Sequence, residues 1–153
     1  MAESSLPITG GCQCGAVRYQ SDAPPSDANY CHCRVCRRIS GAPVVAFIEF
    51  AEQSFRITEG EPKFIQSSSF AERGFCANCG SSLIYRPLDA DGSSAVYIYS
   101  GTLDRQEEAP PKWHTGIESQ VPWLVIDDDL PRMRTDENPD VAALREATDQ
   151  DEG

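Results

Sequence analysis

The cysteines are the feature of this 153-residue chain that most constrains its fold. There are seven of them, arranged as a Cys-x-Cys pair, a Cys-x-Cys-x-x-Cys triplet and a Cys-x-x-Cys pair. Their positions are Cys12 and Cys14, then Cys31, Cys33 and Cys36, then Cys76 and Cys79. Cysteines that only fill a core have no reason to recur at such short intervals, whereas metal ligands do. The spacing therefore predicts a fold held together by metal ions.

Two separated pairs together supply four thiolates, which is the closed tetrahedral set of a structural zinc ion. We assign that zinc to the four-cysteine cluster, which is Cys12, Cys14, Cys76 and Cys79. The three-cysteine cluster, which is Cys31, Cys33 and Cys36, then keeps a coordination position open to substrate. Other divisions remain open, because one pair could join two members of the triplet, or His32 could be a ligand. Since His32 alternates with two of these cysteines, we expect its side chain to point away from their metal.

A zinc ion bound by three thiolates carries a formal charge of −1, because each thiolate contributes one negative charge against the two positive charges of the metal. That charge makes the zinc a weaker Lewis acid than one bound by neutral histidines, so water bound to it is less acidic. Thiolates are themselves soft ligands for zinc. The three-cysteine cluster is therefore predicted to act on a thiol, or on a thiol and a carbonyl brought together, rather than in fast hydrolysis.

The composition excludes several classes of partner. The chain has 24 Asp and Glu residues against 13 Lys and Arg, with a formal net charge of −11. Nucleic acids and anionic membranes are bound by concentrated basic surfaces, so neither is expected as a partner. The N-terminal region has no basic segment followed by an apolar run, and no window approaches about 18 apolar residues, so we expect no signal peptide and no membrane span. Seven cysteines, an odd number, without an export signal indicate a reducing cytoplasm.

Alternating apolar residues and frequent turn residues predict a mainly β fold with short helical turns. The predicted strands are residues 16–20, 44–48, 55–58, 63–67, 82–86, 95–99 and 113–117. The turn at residues 59–62 predicts that the strands on either side of it pair as a hairpin. Residues 35–40 are predicted to be helical and to end at Gly41, and residues 121–126 to form a strand or packed coil. A turn is predicted at 89–94, and a helix at 140–148.

Several polar and aromatic residues near the cysteines are candidates for a substrate site. Arginines can bind a substrate carboxylate, a histidine can transfer a proton or line a pocket, and tyrosines can form a pocket wall. Each also has a simpler interpretation, which we favour. That interpretation is solvated charge for Arg34, Arg37, Arg38 and residues 127–129, packing for His114, and a partly exposed sheet face for Tyr97 and Tyr99.

Three segments carry a resemblance to a known family. They are Cys12-Gln13-Cys14-Gly15-Ala16-Val17-Arg18-Tyr19, Cys31-His32-Cys33-Arg34-Val35-Cys36-Arg37-Arg38 and Gly74-Phe75-Cys76-Ala77-Asn78-Cys79-Gly80. They resemble the glutathione-dependent formaldehyde-activating enzyme family, also called the Gfa or centromere-protein-V-like family. Residues 100–104 and 123–131 are more weakly similar to its C-terminal half. The resemblance covers residues 8–134 as one zinc domain and leaves residues 135–153 as an acidic tail.

The resemblance implies a zinc-held β fold of the β-tent (Mss-four-like) type with two zinc ions per chain. It implies a structural zinc on Cys12, Cys14, Cys76 and Cys79 and a catalytic zinc on Cys31, Cys33 and Cys36, in agreement with the division reached from spacing. The family's founding activity is the condensation of formaldehyde with glutathione to S-hydroxymethylglutathione, a carbon–sulfur lyase reaction. A small thiol and a small aldehyde are thus the expected substrates. Two alternatives are an enzyme of this family that acts on an imine or thioester, and a non-catalytic zinc-bound interaction module.

Overall fold

Strands account for most of the regular structure, which confirms the mainly β prediction. The computed structural model describes residues 5–88 and 95–139. The strands are β1 (Ile8–Gly11), β2 (Arg18–Ser21), β3 (Asp27–Cys31), β4 (Val45–Ala51), β5 (Phe55–Glu59), β6 (Lys63–Ser68), β7 (Ala71–Phe75), β8 (Ser82–Pro87), β9 (Ala95–Tyr99), β10 (Trp113–Thr115) and β11 (Arg132–Met133). One α-helix, α1, spans Arg34–Ser40, and 3₁₀ turns occupy Glu52–Ser54, Ser100–Thr102, Gln106–Glu108, Ile117–Ser119 and Thr135–Glu137 in the described ranges.

The strands form two sheets. The smaller sheet has three antiparallel strands in the order β1-β2-β5, and the larger has eight in the order β11-β10-β3-β4-β9-β8-β7-β6. In the larger sheet β10 runs parallel to both of its neighbours, β3 and β11, whereas the remaining pairs are antiparallel. The central position of β4 and β9 places their side chains at the middle of both faces of the larger sheet.

Each face of the larger sheet has its own apolar cluster. On β9, Val96 and Ile98 point to the main core, where they meet residues of the smaller sheet such as Tyr19. The alternate residues, Tyr97 and Tyr99, point to the opposite face and pack with cysteines of the three-cysteine cluster. This is the period-2 alternation of a strand whose two faces are both covered. The main core therefore joins the two sheets, and the second cluster supports the cysteines.

The predicted hairpin between residues 55–58 and 63–67 is wrong. Both segments are strands, but β5 pairs with β2 in the smaller sheet and β6 pairs with β7 in the larger one. Gly60, which lies between them, has φ +70, and a Cβ there would lie 2.0 Å from the carbonyl oxygen of Ala16. The backbone of the connection is thus packed against the β1–β2 loop. This connection takes the chain from the smaller sheet to the larger one, whereas a hairpin turn would reverse the chain within one sheet.

The remaining predictions of local structure have mixed outcomes. The helical prediction is confirmed, because α1 ends at Gly41, which has φ +75 and caps the helix through its N–H on the Arg37 carbonyl. Residues 121–126 form irregular backbone rather than a strand. The second strand that pairs with β10, besides β3, is β11. The predictions for residues 89–94 and 140–148 lie outside the described residues. Among the residues described, no helix has the length and apolarity needed to cross a bilayer.

Candidate functional site

The three-cysteine cluster forms where β3 ends and α1 begins. Cys31 is the last residue of β3, Cys33 is the N-cap of α1, and Cys36 lies in the first turn of the helix. The N-cap conformation turns the Cys33 side chain back over the helix, where its Sγ accepts the Cys36 backbone N–H at 3.4 Å. One Sγ from each cysteine lies within 4.8 Å of the others. The strand-to-helix junction therefore converts the Cys-x-Cys-x-x-Cys spacing into three converging sulfurs.

A glycine allows the junction to pack closely against a neighbouring strand end. Gly116 follows β10, has φ +67, and a Cβ there would lie 3.0 Å from the Cys33 backbone nitrogen. Beside it, the His32 N–H donates to the Thr115 carbonyl at 3.0 Å. These contacts fix the backbone of the cluster from the β10 side.

One side of the three-cysteine cluster is accessible. Cys31 and Cys36 are 9% and 4% exposed, whereas Cys33 is only half-buried. A cleft of about 350 Å³ is lined by residues that include Ser40, Val45, Tyr99, Ser100 and Gln106, but by none of the three cysteines. Val45 and Tyr99 also belong to the apolar cluster around the cysteines. None of the described residues that line the cleft carries a charge.

The four-cysteine cluster joins the two sheets. Cys12 and Cys14 lie in the turn between β1 and β2, and Cys76 and Cys79 lie in the turn between β7 and β8. The Gly15 N–H donates to the Cys12 carbonyl at 3.2 Å and closes a turn that contains the first pair. The sulfurs converge because a tight turn brings the side chains of residues two or three apart together.

The distances between sulfurs test whether zinc fits. Zn–S bonds of about 2.3 Å in tetrahedral geometry place two sulfurs about 3.8 Å apart. In the four-cysteine cluster the Sγ atoms of Cys12 and Cys14 are 3.6 Å apart, and those of Cys14 and Cys76 are 3.8 Å apart. In the three-cysteine cluster those of Cys31 and Cys36 are 3.3 Å apart. Both sets are soft, preassembled donors that can hold a metal ion, and they are consistent with zinc.

Hydrogen bonds reach three sulfurs of the four-cysteine cluster, those of Cys12, Cys14 and Cys79. The Asn78 side-chain amide donates to Cys14 Sγ at 3.2 Å, and the Val17 N–H donates to Cys12 Sγ at 3.2 Å. A hydrogen bond from the Ser81 hydroxyl, together with backbone donors, lowers the pKa of Cys79 to about 5. Metal ligation requires deprotonated cysteines, so these contacts prepare the cluster for a cation.

The thiols of the three-cysteine cluster titrate as a group. The pKa of Cys33 is held far below its usual range, because the thiols of Cys31 and Cys36 donate hydrogen bonds to its sulfur. Those same contacts, with burial, raise the pKa of Cys31. For Cys36 the hydrogen bond with Cys31 lowers the pKa, but the contact with Cys33 and burial outweigh it. The first thiol of this cluster to lose its proton is therefore that of Cys33, the most exposed of the three.

A buried arginine contacts this cluster, and the sequence analysis missed it. Arg73 in β7 is 4% exposed, its Nη2 lies 3.5 Å from Cys36 Sγ, and its Nη1 donates to the Tyr99 hydroxyl at 2.8 Å. Its guanidinium carbon lies 4.8 Å from the centre of the Tyr85 ring. Burial lowers the pKa of Arg73, but its interactions with Cys36 and Tyr99 outweigh burial and raise the pKa. No sequence pattern indicated this position, because an arginine in an alternating strand is expected to face solvent.

Of the two tyrosines on β9, Tyr99 differs from expectation and Tyr97 does not. Tyr99 is 6% exposed and lines the cleft, so the partly exposed sheet face predicted for it is wrong and the pocket-wall alternative is correct. Tyr97 is half-buried and packs edge-on against Tyr85, with ring centroids 5.5 Å apart. Burial raises the pKa of both Tyr85 and Tyr99, so both hydroxyls stay protonated at neutral pH.

A buried chain of polar groups lies behind the cluster. His32 points away from the cysteines, as expected, and its Nε2 lies 2.8 Å from Nδ1 of His114. His114 Nε2 in turn lies 3.0 Å from an Asp128 carboxylate oxygen. Both histidines are 0% exposed, and burial lowers the pKa of His32 to about 4. The solvated-loop prediction for residue 128 is therefore wrong, and His32 is not among the converging ligands.

The prediction of solvated charge is largely confirmed for the arginines of α1. Arg34 and Arg38 are exposed, whereas Arg37 is half-buried and its Nε donates to the His32 carbonyl at 3.2 Å. Arg37 and Arg38 lie in the last turn of the helix, where positive charge complements the helix dipole. These residues support the helix that carries two of the cysteines.

Three known proteins are similar to this chain. A Halomonas elongata protein named provisionally as a glutathione-dependent formaldehyde-activating enzyme is 26% identical over 129 residues, which cover 78% of this chain and 81% of that protein. A Schizosaccharomyces pombe protein named as an uncharacterized lyase is 37% identical over 76 residues, which cover 50% of this chain and 55% of that protein. A crystal structure of a Rhodobacter sphaeroides protein shares the fold, with a TM-score of 0.51 and 22% identity over 63% of this chain and 87% of that chain.

The family model gives the broadest match. It describes glutathione-dependent formaldehyde-activating enzymes and matches residues 7–119, which include all seven cysteines. Because this match covers most of the sequence and includes both cysteine clusters, the chain belongs to the glutathione-dependent formaldehyde-activating enzyme family.

Proposed function

We propose that this protein is a zinc-dependent enzyme of the carbon–sulfur lyase type that joins a small thiol to a small aldehyde. The reaction resembles that of S-(hydroxymethyl)glutathione synthase. One observation carries the proposal: three cysteine sulfurs converge with no fourth protein ligand among the described residues, and Val45 and Tyr99, which pack with them, also line a cleft. Membership in the family and the name of the Halomonas elongata relative support the same class of activity.

In this proposal Cys31, Cys33 and Cys36 hold the catalytic zinc, and the four-cysteine cluster holds a structural one. Bound to three thiolates, zinc supplies a soft Lewis acid that favours a substrate thiolate as its next ligand. In the reaction a bond forms between the thiol sulfur and the carbonyl carbon, the carbon–oxygen π bond opens, and the thiol proton ends on that oxygen. In this proposal the chain contributes proximity, because Val45 and Tyr99, which pack with the cysteines, also line the cleft in which the two small reactants would bind.

The cleft favours a second candidate with the same chemistry but another thiol. Glutathione carries two carboxylates and an ammonium group, whereas no charged side chain lines the cleft among the residues described. Binding charged groups without partners is costly, so a thiol with fewer charges fits this lining better. A comparison of kcat/KM for glutathione and 2-mercaptoethanol, each with formaldehyde, separates the two candidates. A higher value for glutathione would exclude the second.

The experiment that tests the proposal is exchange NMR of formaldehyde with a thiol in the presence of the full-length, zinc-loaded protein. We expect the rate of interconversion between free and S-hydroxymethyl thiol to rise at least about tenfold above the uncatalysed rate. Native mass spectrometry should count two zinc ions per chain. Two bound zinc ions without any acceleration, for either thiol, would contradict the proposal.

The variant Cys33→Ser provides the control. Cys33 is only half-buried and lies in the cluster without a fourth ligand, so its loss should remove catalysis but leave the fold. We expect the exchange rate to return to background, the zinc count to fall to one, and the circular dichroism spectrum to stay unchanged. Retained acceleration in this variant would place the active site elsewhere.

A further inference from the structure

Arg73 is a buried cation whose negatively charged partner is not a carboxylate. Its side chain is 4% exposed, and no carboxylate in the described ranges forms an ion pair with it. Its three recorded hydrogen bonds go to the Ser67 hydroxyl at 3.1 Å, the Tyr99 hydroxyl at 2.8 Å and Cys36 Sγ at 3.5 Å. A buried guanidinium without an anion costs several kcal/mol. The group that can offset this cost is the thiolate cluster at Cys36.

Charge counting shows what Arg73 changes. A zinc ion with three thiolates carries a formal charge of −1, and the adjacent guanidinium brings the group to zero. A substrate thiolate that binds as the fourth ligand then adds one negative charge to a neutral group, rather than a second charge to an anionic one. Removing Arg73 would therefore weaken the binding of anions much more than that of neutral ligands.

The surroundings of Arg73 suit this role. The hydroxyls of Ser67 and Tyr99 accept its hydrogen bonds without adding a formal charge, and the ring of Tyr85 covers one face of the guanidinium. The guanidinium therefore contacts Cys36 in a place shielded from water. There its charge has a larger effect on the metal site than it would have in solvent. Such contacts behind a ligand commonly tune the properties of a bound metal.

We propose that Arg73 balances the charge of the three-cysteine zinc centre, so that its fourth coordination position accepts an anionic substrate thiolate. This makes Arg73 a positioning residue that acts through Cys36. The inference rests on the proposed zinc site, but it does not depend on which aldehyde or thiol the enzyme uses.

The test measures binding to the cobalt-substituted full-length protein. Cobalt(II) bound by thiolates gives a sulfur-to-metal charge-transfer absorption, which reports a thiolate that joins the metal, and visible ligand-field bands, which report the binding of a neutral ligand. We would titrate the protein with 2-mercaptoethanol as the thiolate probe and with imidazole as the neutral probe. For Arg73→Met we expect the affinity for 2-mercaptoethanol to fall at least about tenfold and the affinity for imidazole to change less than about threefold.

Two further variants separate charge from structure. Arg73→Lys keeps the positive charge, and Ser67→Ala removes a hydrogen bond to Arg73 without removing the charge. Both should stay within about threefold of the wild-type affinity for 2-mercaptoethanol. If Arg73→Met fails to fold, these two variants still test the proposal, because a large loss of thiolate affinity in both would show that geometry matters rather than charge.

The zinc of the four-cysteine cluster is an internal control. In competition with a chromophoric chelator, Arg73→Met should lose affinity for the zinc of the three-cysteine cluster only. Equal loss of both zinc ions, or equal loss of affinity for the anionic and neutral probes, would overturn the proposal, as would a three-cysteine cluster that binds no metal. Charge-dependent thiolate binding together with absent turnover would instead uphold Arg73 and refute the proposed reaction.

Discussion

At the scale of single residues, Gly60 is a position where the backbone requires glycine. Its φ is +70, and a Cβ would meet the Ala16 carbonyl oxygen at 2.0 Å. A side chain costs about 1–2 kcal/mol in this conformation before any clash is counted. We therefore expect Gly60→Ala to lower the free energy of unfolding by more than about 2 kcal/mol in urea denaturation.

Gly41→Ala is the matched control for this prediction. Gly41 has a similar φ of +75, but a Cβ there would meet nothing within 4 Å. Its substitution should therefore cost only the conformational penalty of about 1–2 kcal/mol. Equal losses in the two variants would show that the contact between the 59–62 connection and the β1–β2 loop contributes nothing to stability.

Residue-level prediction from the sequence succeeded where the spacing was local. Each cysteine group spans at most six positions, so tight turns and one helix N-terminus bring its sulfurs together regardless of the rest of the fold. Arg73 and His114 could not be predicted in the same way. Their partners, Cys36 and His32, lie 37 and 82 residues away in sequence, and only strand pairing brings them into contact.

At the scale of elements, an ion pair ties β2 to the turn that follows β9. The Arg18 guanidinium binds the Asp104 carboxylate through both terminal nitrogens, and Thr9 of β1 donates to the same carboxylate at 2.6 Å. The hydrogen bond from Arg18 lowers the pKa of Asp104, and burial opposes it only in part. The folded state therefore binds a proton at Asp104 less readily than the unfolded chain does.

This difference predicts how stability depends on pH. Because the folded pKa is depressed, the stabilisation is complete above the unfolded value of about 3.9 and is lost as pH falls through the folded value. We expect the wild type to have a higher Tm than Asp104→Asn near pH 6 and the two to converge below about pH 4. The difference should be modest, because both side chains are partly exposed. A Tm difference that is the same at all pH values would contradict the assignment.

The strands themselves were largely predictable, but their partners were not. Alternating burial identifies β4 and β9, because each has a buried face. Pairing depends instead on which sheet offers an open edge, and β5 and β6 pair in different sheets although only three residues separate them. Of the two short parallel strands, β10 lies within the predicted strand at 113–117, whereas the two residues of β11 are too few to show a pattern.

At the scale of the whole molecule, the four-cysteine cluster connects the two sheets. Cys12 and Cys14 belong to the loop between strands of the smaller sheet, and Cys76 and Cys79 to the loop between strands of the larger one. A metal bound there links both sheets at their ends, next to the shared core that contains Cys12 and Cys76. Binding energy at a site that exists only in the folded protein adds directly to folding energy, by about 10–16 kcal/mol in zinc-finger peptides.

Metal removal should therefore separate the sheets before it affects the three-cysteine cluster region. We expect a strong chelator to lower Tm by at least about 10 °C and to speed hydrogen exchange in β1 and β2 more than in β3 and β4.

Cys79→Ser should reproduce this pattern, because Cys79 is exposed and its loss removes a ligand without leaving a cavity. Cys33→Ser is the matched control and should leave exchange in β1 and β2 unchanged. Equal exchange in both variants would mean that the four-cysteine cluster does not join the sheets.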